Sequence, residues 1–202
     1  KLIRVSIHPK NGKNPKAFFK QVLRQNWDAV VFSGSEKSVT DYKKDKWVNN
    51  YIEGLKGFLS HWKKLPQPFP ILGICFAHQA IAAALGGKVR FSGDLKLGPV
   101  DVKKTPQAKP KQLFETLAKK DWSNFIAYHS DHVVRAPKGL NCFLKSDYCK
   151  HQAFAHPKLP LITCQFHPEM DEEILKDSSD KENWKKFKAK DFRHQEGREF
   201  LK

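Results

Sequence analysis

Cys75 lies in ILGICFAHQ, residues 71–79, between an apolar run and a His-Gln pair. The apolar run reads as a buried strand and AHQAIAAAL as a helix, so the sulfur falls where a strand turns into a helix. A sharp junction of that kind lifts its central side chain above the sheet edge. It needs small residues two before and two after, here Gly73 and Ala77. The helix dipole and its free N–H groups favour a thiolate, and the N–H of Phe76 is placed to bind an oxyanion. Taken alone, G-x-C-x-A suits a thiol that only fills core as well as it suits a nucleophile. A base tips the balance. QFHPE, residues 165–169, closes an apolar strand and carries His167 with Glu169 two positions on. Side chains at i and i+2 of a strand share a face, so Glu169 can hold one imidazole nitrogen while the other turns to Cys75. By itself that pair also suits a surface histidine beside a proline turn. Thiol, imidazole and carboxylate together are the parts of covalent acyl transfer, and such partners meet in space, not in sequence.

The elements that must position these groups alternate between β-rich runs and amphipathic helices, the pattern of an α/β sandwich. LIRVSI (2–7) reads as a strand, 15–25 as a helix, and WDAVVFS (27–33) as a strand ending in the turn GSEKS. Trp47, Val48, Tyr51, Ile52, Leu55, Phe58, Leu59 and Trp62 recur at spacings of three and four, one face of a long helix that covers the sheet. Pro68 and Pro70 precede the strand PILGIC, and Gly86-Gly87 stops the helix after Cys75. Downstream, KVRF, PVDVK, FIAYHS, HVVRAP, CFLKS, QAFAH and LPLITCQF read as short strands, with one helix near 110–119. A charged tail, 176–202, is expected to be helical from about 181, with Trp184, Phe187, Phe192, Phe200 and Leu201 to bury. The expected fold class is α/β: a three-layer sandwich with a mostly parallel central sheet flanked by helices, plus a small antiparallel section.

A chain of 202 residues with 40% hydrophobic and 12% aromatic residues can bury one sizeable core, so 1–202 is expected to form a single domain. No window approaches the roughly 18 unbroken apolar residues of a membrane span, and KLIRVSIHPK lacks the core of a signal peptide. The four cysteines form no close-paired framework, which suits a reducing cytoplasm. With 37 Lys+Arg against 21 Asp+Glu the formal charge is +16, yet the lysines are spread along the chain. Solvated lysine surface explains them better than a nucleic-acid groove; an acidic partner protein is the other reading. His129-Ser130-Asp131-His132 and Cys149/His151/His156 lack the paired spacing of a structural zinc site, so no metal is expected.

GICFAHQ, FSGS, YHSDHVV and QFHPE, in this order, resemble the class I glutamine amidotransferases, the Cys-His-Glu family. The likeness runs from residue 28 to about 170 and is nearest to the glutaminase domain of GMP synthetase and its stand-alone relatives, γ-glutamyl peptidases included. The resemblance implies that Cys75 attacks the glutamine side-chain amide to form a γ-glutamyl thioester, that His167 moves the protons, and that Glu169 orients His167. It implies an oxyanion hole from the backbone N–H groups of Ser35 and Phe76. Gly34, Gln79, Tyr128, His129 and Ser130 are then expected to bind substrate, and His129 and Asp131 match the family's H-x-D-x-V segment. No cofactor is implied; the partner would be a separate synthetase subunit that accepts ammonia, because no glycine-rich phosphate loop occurs in these residues. Hydrolysis of γ-glutamyl peptides or conjugates, and a non-catalytic binding subunit with a basic surface, are the alternatives. The sequence departs from the pattern at Ser35 and Glu36, where relatives carry glycine and proline, and at Ala77, where they carry glycine. Ser35 must therefore hold a backbone angle that glycine reaches more easily. The family's strand and helix ahead of LIRVSI are missing from the 202 residues: either the sequence is truncated or the first strand has been lost, and in the second case a central part of the sheet would be unfilled.

Overall fold

A computed structural model describes residues 14–106, 120–170 and 200–201. The strand read at 2–7, the helix near 110–119 and the charged tail up to 199 lie outside the described residues. Helix α1 (Pro15–Val22) starts with Asn14 as cap, its Oδ1 accepting Lys16 N at 3.0 Å, and with proline in the first turn. Strand β1 (Val30–Phe32) is shorter than the run 27–33. Among the described residues its partner begins at Ile71, opposite Val30, and Trp27 is drawn back to the helix end through an indole bond to Val22 O at 2.9 Å.

Helix α2 (Lys46–Trp62) carries the periodic apolar face. Asp45 caps it by accepting from Trp47 N at 2.8 Å and Val48 N at 3.1 Å. Val48, Tyr51, Ile52, Leu55, Phe58, Leu59 and Trp62 are all buried. Burying each such side chain is worth roughly 1.5–3 kcal/mol, so tertiary packing, not propensity, holds this helix. Strand β2 (Ile71–Ile74) leads through Cys75 into α3 (Phe76–Ala84).

The later strands are β3 (Lys88–Lys104), β4 (Trp122–Arg135), β5 (Asn141–Lys145), β6 (Ala153–Ala155) and β7 (Leu161–Cys164). KVRF and PVDVK are parts of one strand, as are FIAYHS and HVVRAP. Ser92-Gly93-Asp94 and Gly98-Pro99 look like chain breaks, but the β3–β4 ladder takes up its irregularities as register shifts between Phe91 and Lys96 and between Val100 and Val102. Gly93 and Gly98 meet the local demand with φ of 92° and 120°.

The sheet runs β1-β2-β7-β6-β5-β3-β4. β1, β2 and β7 are parallel and register Phe32 on Gly73 and Ile74 on Cys164; the remaining pairs are antiparallel. The class is α/β, a mixed sheet with its parallel part at the core and helices against it, and the antiparallel strands are longer than the separate runs suggest. One apolar cluster joins α1, α2 and α3 to β1 and β2. A second lies between β2, β7 and the antiparallel strands, where Phe125 stacks on Phe166 at 4.0 Å and Phe200 meets Trp122, Phe125 and Phe166 edge-on. Among the described residues no helix is long and apolar enough to cross a membrane.

Candidate active site

Three neighbouring parallel strands that start in register also end together, so the segments after β1, β2 and β7 converge at one end of the sheet. That carboxyl end is where open α/β sheets carry ligands. Ser33-Gly34-Ser35 follow β1, Cys75 follows β2, and Gln165 to Glu169 follow β7.

Cys75 prolongs the ladder with its N–H on Cys164 O at 2.8 Å, then turns sharply with φ 52° and ψ −104°. Those are the angles of the first central residue of a II′ turn, a place glycine usually takes. A strained non-glycine residue there costs of order 1–3 kcal/mol and is a mark of functional sites. Gly73 makes the turn possible by close approach. A Cβ on it would lie 2.7 Å from Ile81 Cδ1 and 3.2 Å from Thr163 Cγ2, with the Ala77 carbonyl carbon at 3.5 Å.

His167 is pinned to β4 by its N–H on Ile126 O at 2.8 Å, an isolated bridge at the margin of the sheet. Its Nδ1 is 2.6 Å from Glu169 Oε1. This pairing arises differently from the i, i+2 strand geometry expected: Pro168 and Glu169 form a turn, and the turn swings the carboxylate back onto the ring. Burial alone would lower the His167 pKa, but hydrogen bonds with the Cys75 and Glu169 side chains and their negative charge outweigh it and raise it. Gly34 faces the same point. A Cβ there would stand 3.3 Å from His167 Cε1 and 3.7 Å from Cys75 Cβ, so glycine keeps the loop close to both.

Ser35 is not among the described residues with positive φ, so serine meets no backbone penalty at this position. Its Oγ accepts Lys37 N at 3.2 Å. Lys37 Nζ reaches Asp45 Oδ2 at 2.6 Å, and Ser38 Oγ donates to Asp131 Oδ2, tying the loop to α2 and β4. Phe76 opens α3, where first-turn N–H groups lack helical partners, and its ring packs on Tyr51 and Trp47.

Cys75, His167, Glu169, Ser35, Phe76, Gly34, Gln79, Tyr128, His129 and Ser130 all line one cleft of about 1010 Å³. Tyr128 O accepts the Cys75 thiol at 3.6 Å. The His129 ring is buried, bonded to Asp131 O through Nδ1 at 2.9 Å and to Tyr148 OH through Nε2 at 3.3 Å, so this residue faces the cleft with its margin and not with a free imidazole. Sequence reasoning passed over Gln165, which is buried with its Nε2 3.8 Å from Cys75 Sγ. The signal was available: Thr163, Gln165 and His167 alternate on one face. It also missed the Ser38–Asp131 tie and the apolar lip formed by Phe91 and Leu95, which no local pattern marks.

The His-Gln pair after Cys75 splits in two. Gln79 reaches the cleft, whereas His78 enters the core, stacked on Phe154 at 5.1 Å. Nε2 of His78 faces His151 O at 3.1 Å and must donate, leaving Nδ1 to accept from Thr163 Oγ1 at 2.9 Å. Burial lowers the His78 pKa to about 3. A folded pKa below the unfolded value of about 6.5 means the unfolded chain binds the extra proton. Stability is therefore intact above pH 6.5 and falls as the pH drops toward 3, by about 1.4 kcal/mol per unit from this residue. Denaturant midpoints measured at neutral and acid pH should decline less steeply in His78→Gln than in the parent; equal slopes refute the assignment. Among the described residues no three His, Cys, Asp or Glu side chains come together as a metal requires.

The family model for class-I glutamine amidotransferases matches residues 3–179. A glutamine-hydrolysing GMP synthase subunit of Methanocaldococcus jannaschii is 37% identical over 101 residues, 50% of this chain and 51% of that protein. The glutamine-hydrolysing GMP synthase of Clostridium novyi is 29% identical over 157 residues, 76% of this chain and 27% of that protein. The chain thus spans about half or less of the length of these two relatives. In shape, a glutamine amidotransferase from Thermotoga maritima superposes with a TM-score of 0.65 at 19% identity, covering 87% of this chain and 72% of that one, a likeness of fold.

Proposed function

This chain belongs to the class-I glutamine amidotransferase family, and we propose that it hydrolyses the side-chain amide of glutamine through a thioester on Cys75. Sγ adds to the amide carbonyl carbon, and the backbone N–H groups of Ser35 and Phe76 receive the oxyanion. The C–N bond breaks as His167 gives its proton to the leaving nitrogen, and ammonia departs. Water, giving its proton to the same imidazole, then cleaves the C–S bond and releases glutamate. Glu169 orients His167 throughout. Gly34, Gln79 and the Tyr128-His129-Ser130 stretch form the wall that holds the substrate. The observation that carries this reading is the meeting of sulfur, imidazole and carboxylate at the ends of adjacent parallel strands, in one cleft. That the Methanocaldococcus jannaschii relative is named as one subunit of its synthase supports a separate synthetase partner, to which the ammonia passes.

A second reading, hydrolysis of γ-glutamyl peptides or conjugates, draws on the size of the cleft. About 1010 Å³ is at the upper end of what drug-sized ligands fill, well beyond one amino acid. Phe91 and Leu95, 61% and 47% exposed, line the same cleft and offer apolar surface to a substituent larger than ammonia. Incubating the protein with glutamine and, in parallel, with γ-glutamyl dipeptides, while measuring glutamate and ammonia, separates the two. Glutamine turnover with ammonia release is the expected result. A preference for dipeptides moves the assignment to the second reading. No turnover of either, with Cys75 inert to a glutamine-like electrophile, leaves a binding subunit.

A further inference from the structure

Beyond the three side chains that the proposed reaction uses, a buried amide stands against the sulfur. Gln165 is fully buried, its Oε1 3.2 Å from Gln79 Nε2 and its own Nε2 3.8 Å from Cys75 Sγ. The direction of these bonds follows from one fixed acceptor. Asp131 O is a backbone carbonyl and only accepts, so the Gln79 group 2.8 Å from it must be the NH₂. The same NH₂ meets the Gln165 amide, which must therefore present its oxygen there. Its NH₂ is left to face the sulfur. A backbone carbonyl of β4 thus sets, through two glutamines, the polarity of the group that touches the nucleophile.

We propose that Gln165 is a catalytic residue that donates an N–H to the Cys75 sulfur when it is ionised, and that Gln79 is the positioning residue that keeps this donor turned inward. Before ionisation the S–H points at Tyr128 O. When the proton passes to His167, that contact loses its hydrogen and the anion needs donors. Gln165 supplies one from a site closed to water, where a donor already aimed at the charge costs no reorganisation. Gln79 also bonds the backbone of the Tyr128–Asp131 stretch, so the wall proposed to hold the substrate and the donor to the sulfur share one support.

The test is the rate of Cys75 alkylation by iodoacetamide against pH, read by peptide mass so that Cys142, Cys149 and Cys164 are scored apart. Gln165→Met and Gln165→Leu remove the donor without adding a charge or an O–H. Gln79→Met cannot donate to Oε1, so the Gln165 amide loses the bond that keeps its NH₂ turned to the sulfur. In all three the alkylation profile should move to higher pH, and glutamine turnover should fall roughly 10- to 100-fold in kcat, the usual weight of a hydrogen bond to a charged group, with KM changed little. Profiles that superpose on the parent in folded Gln165→Met or Gln165→Leu overturn the proposal, as does a loss confined to KM. Should Gln165→Met fail to fold, Gln165→Leu and Gln79→Met carry the test. The inference depends on Cys75 being the nucleophile, but alkylation is read without turnover. A shifted profile in a chain that hydrolyses nothing would refute the proposed activity and keep this assignment.

Discussion

Cys75→Ala is expected to lower glutamine turnover by at least about 10⁴-fold while leaving the chain folded, because removing the covalent nucleophile of a coupled set removes nearly all that the set contributes. The fold should survive because the change deletes one atom at a site whose backbone is held by Cys164 O and by the Gln79 N–H on its carbonyl. The strain at this position offers a second readout. At φ 52° and ψ −104° an alanine keeps the steric cost of a Cβ, whereas a glycine does not. Cys75→Gly should therefore be the more stable of the two inactive variants by about 1 kcal/mol, seen as a higher thermal midpoint. Residual turnover in Cys75→Ala near the parental rate would mean that the nucleophile lies elsewhere.

His167→Asn is expected to come next, with a loss of roughly 10²- to 10⁴-fold, the weight of a positioned acid and base. Glu169→Gln should fall in the same range but leave a diagnostic trace. Burial pulls the His167 pKa down, and the bonds to Cys75 and Glu169 push it up. With the carboxylate gone, burial weighs more and the protonated ring is lost at a lower pH. The alkaline limb of kcat/KM should accordingly move toward lower pH in Glu169→Gln. A limb that stays in place while kcat falls would show that the carboxylate orients the ring without affecting its charge. An unchanged rate would remove Glu169 from the relay altogether.

Some features were legible because they are local. The face of α2 is written in spacings of three and four from Val48 to Trp62, and only a helix puts those positions on one side. The turn at Cys75 is written in Gly73, Ala77 and the change of period around them. Other features depend on what lies opposite in space. Ser92-Gly93-Asp94 looks like a break until β4 supplies a partner ladder, after which an irregularity is less costly than ending two strands. Ser35 raises a question about backbone angle that only the loop's path answers, since its φ is not positive.

By itself the sequence determines the residue types able to do acyl-transfer chemistry, the strand and helix that flank Cys75, and the family pattern across GICFAHQ, YHSDHVV and QFHPE. The tertiary structure decides what meets what. Parallel pairing of β1, β2 and β7 brings three chain segments to one sheet end, and a turn, not a strand, delivers Glu169 to His167. It also sends His78 into the core and Gln79 to the cleft, although the two are adjacent. The polarity of Gln165 is fixed by a carbonyl on β4, a distant partner that no window around residue 165 contains. The physical reason is one of range. Backbone sterics and side-chain periodicity act over a few residues, whereas the direction of a buried hydrogen bond is set by whichever donor or acceptor packing places against it.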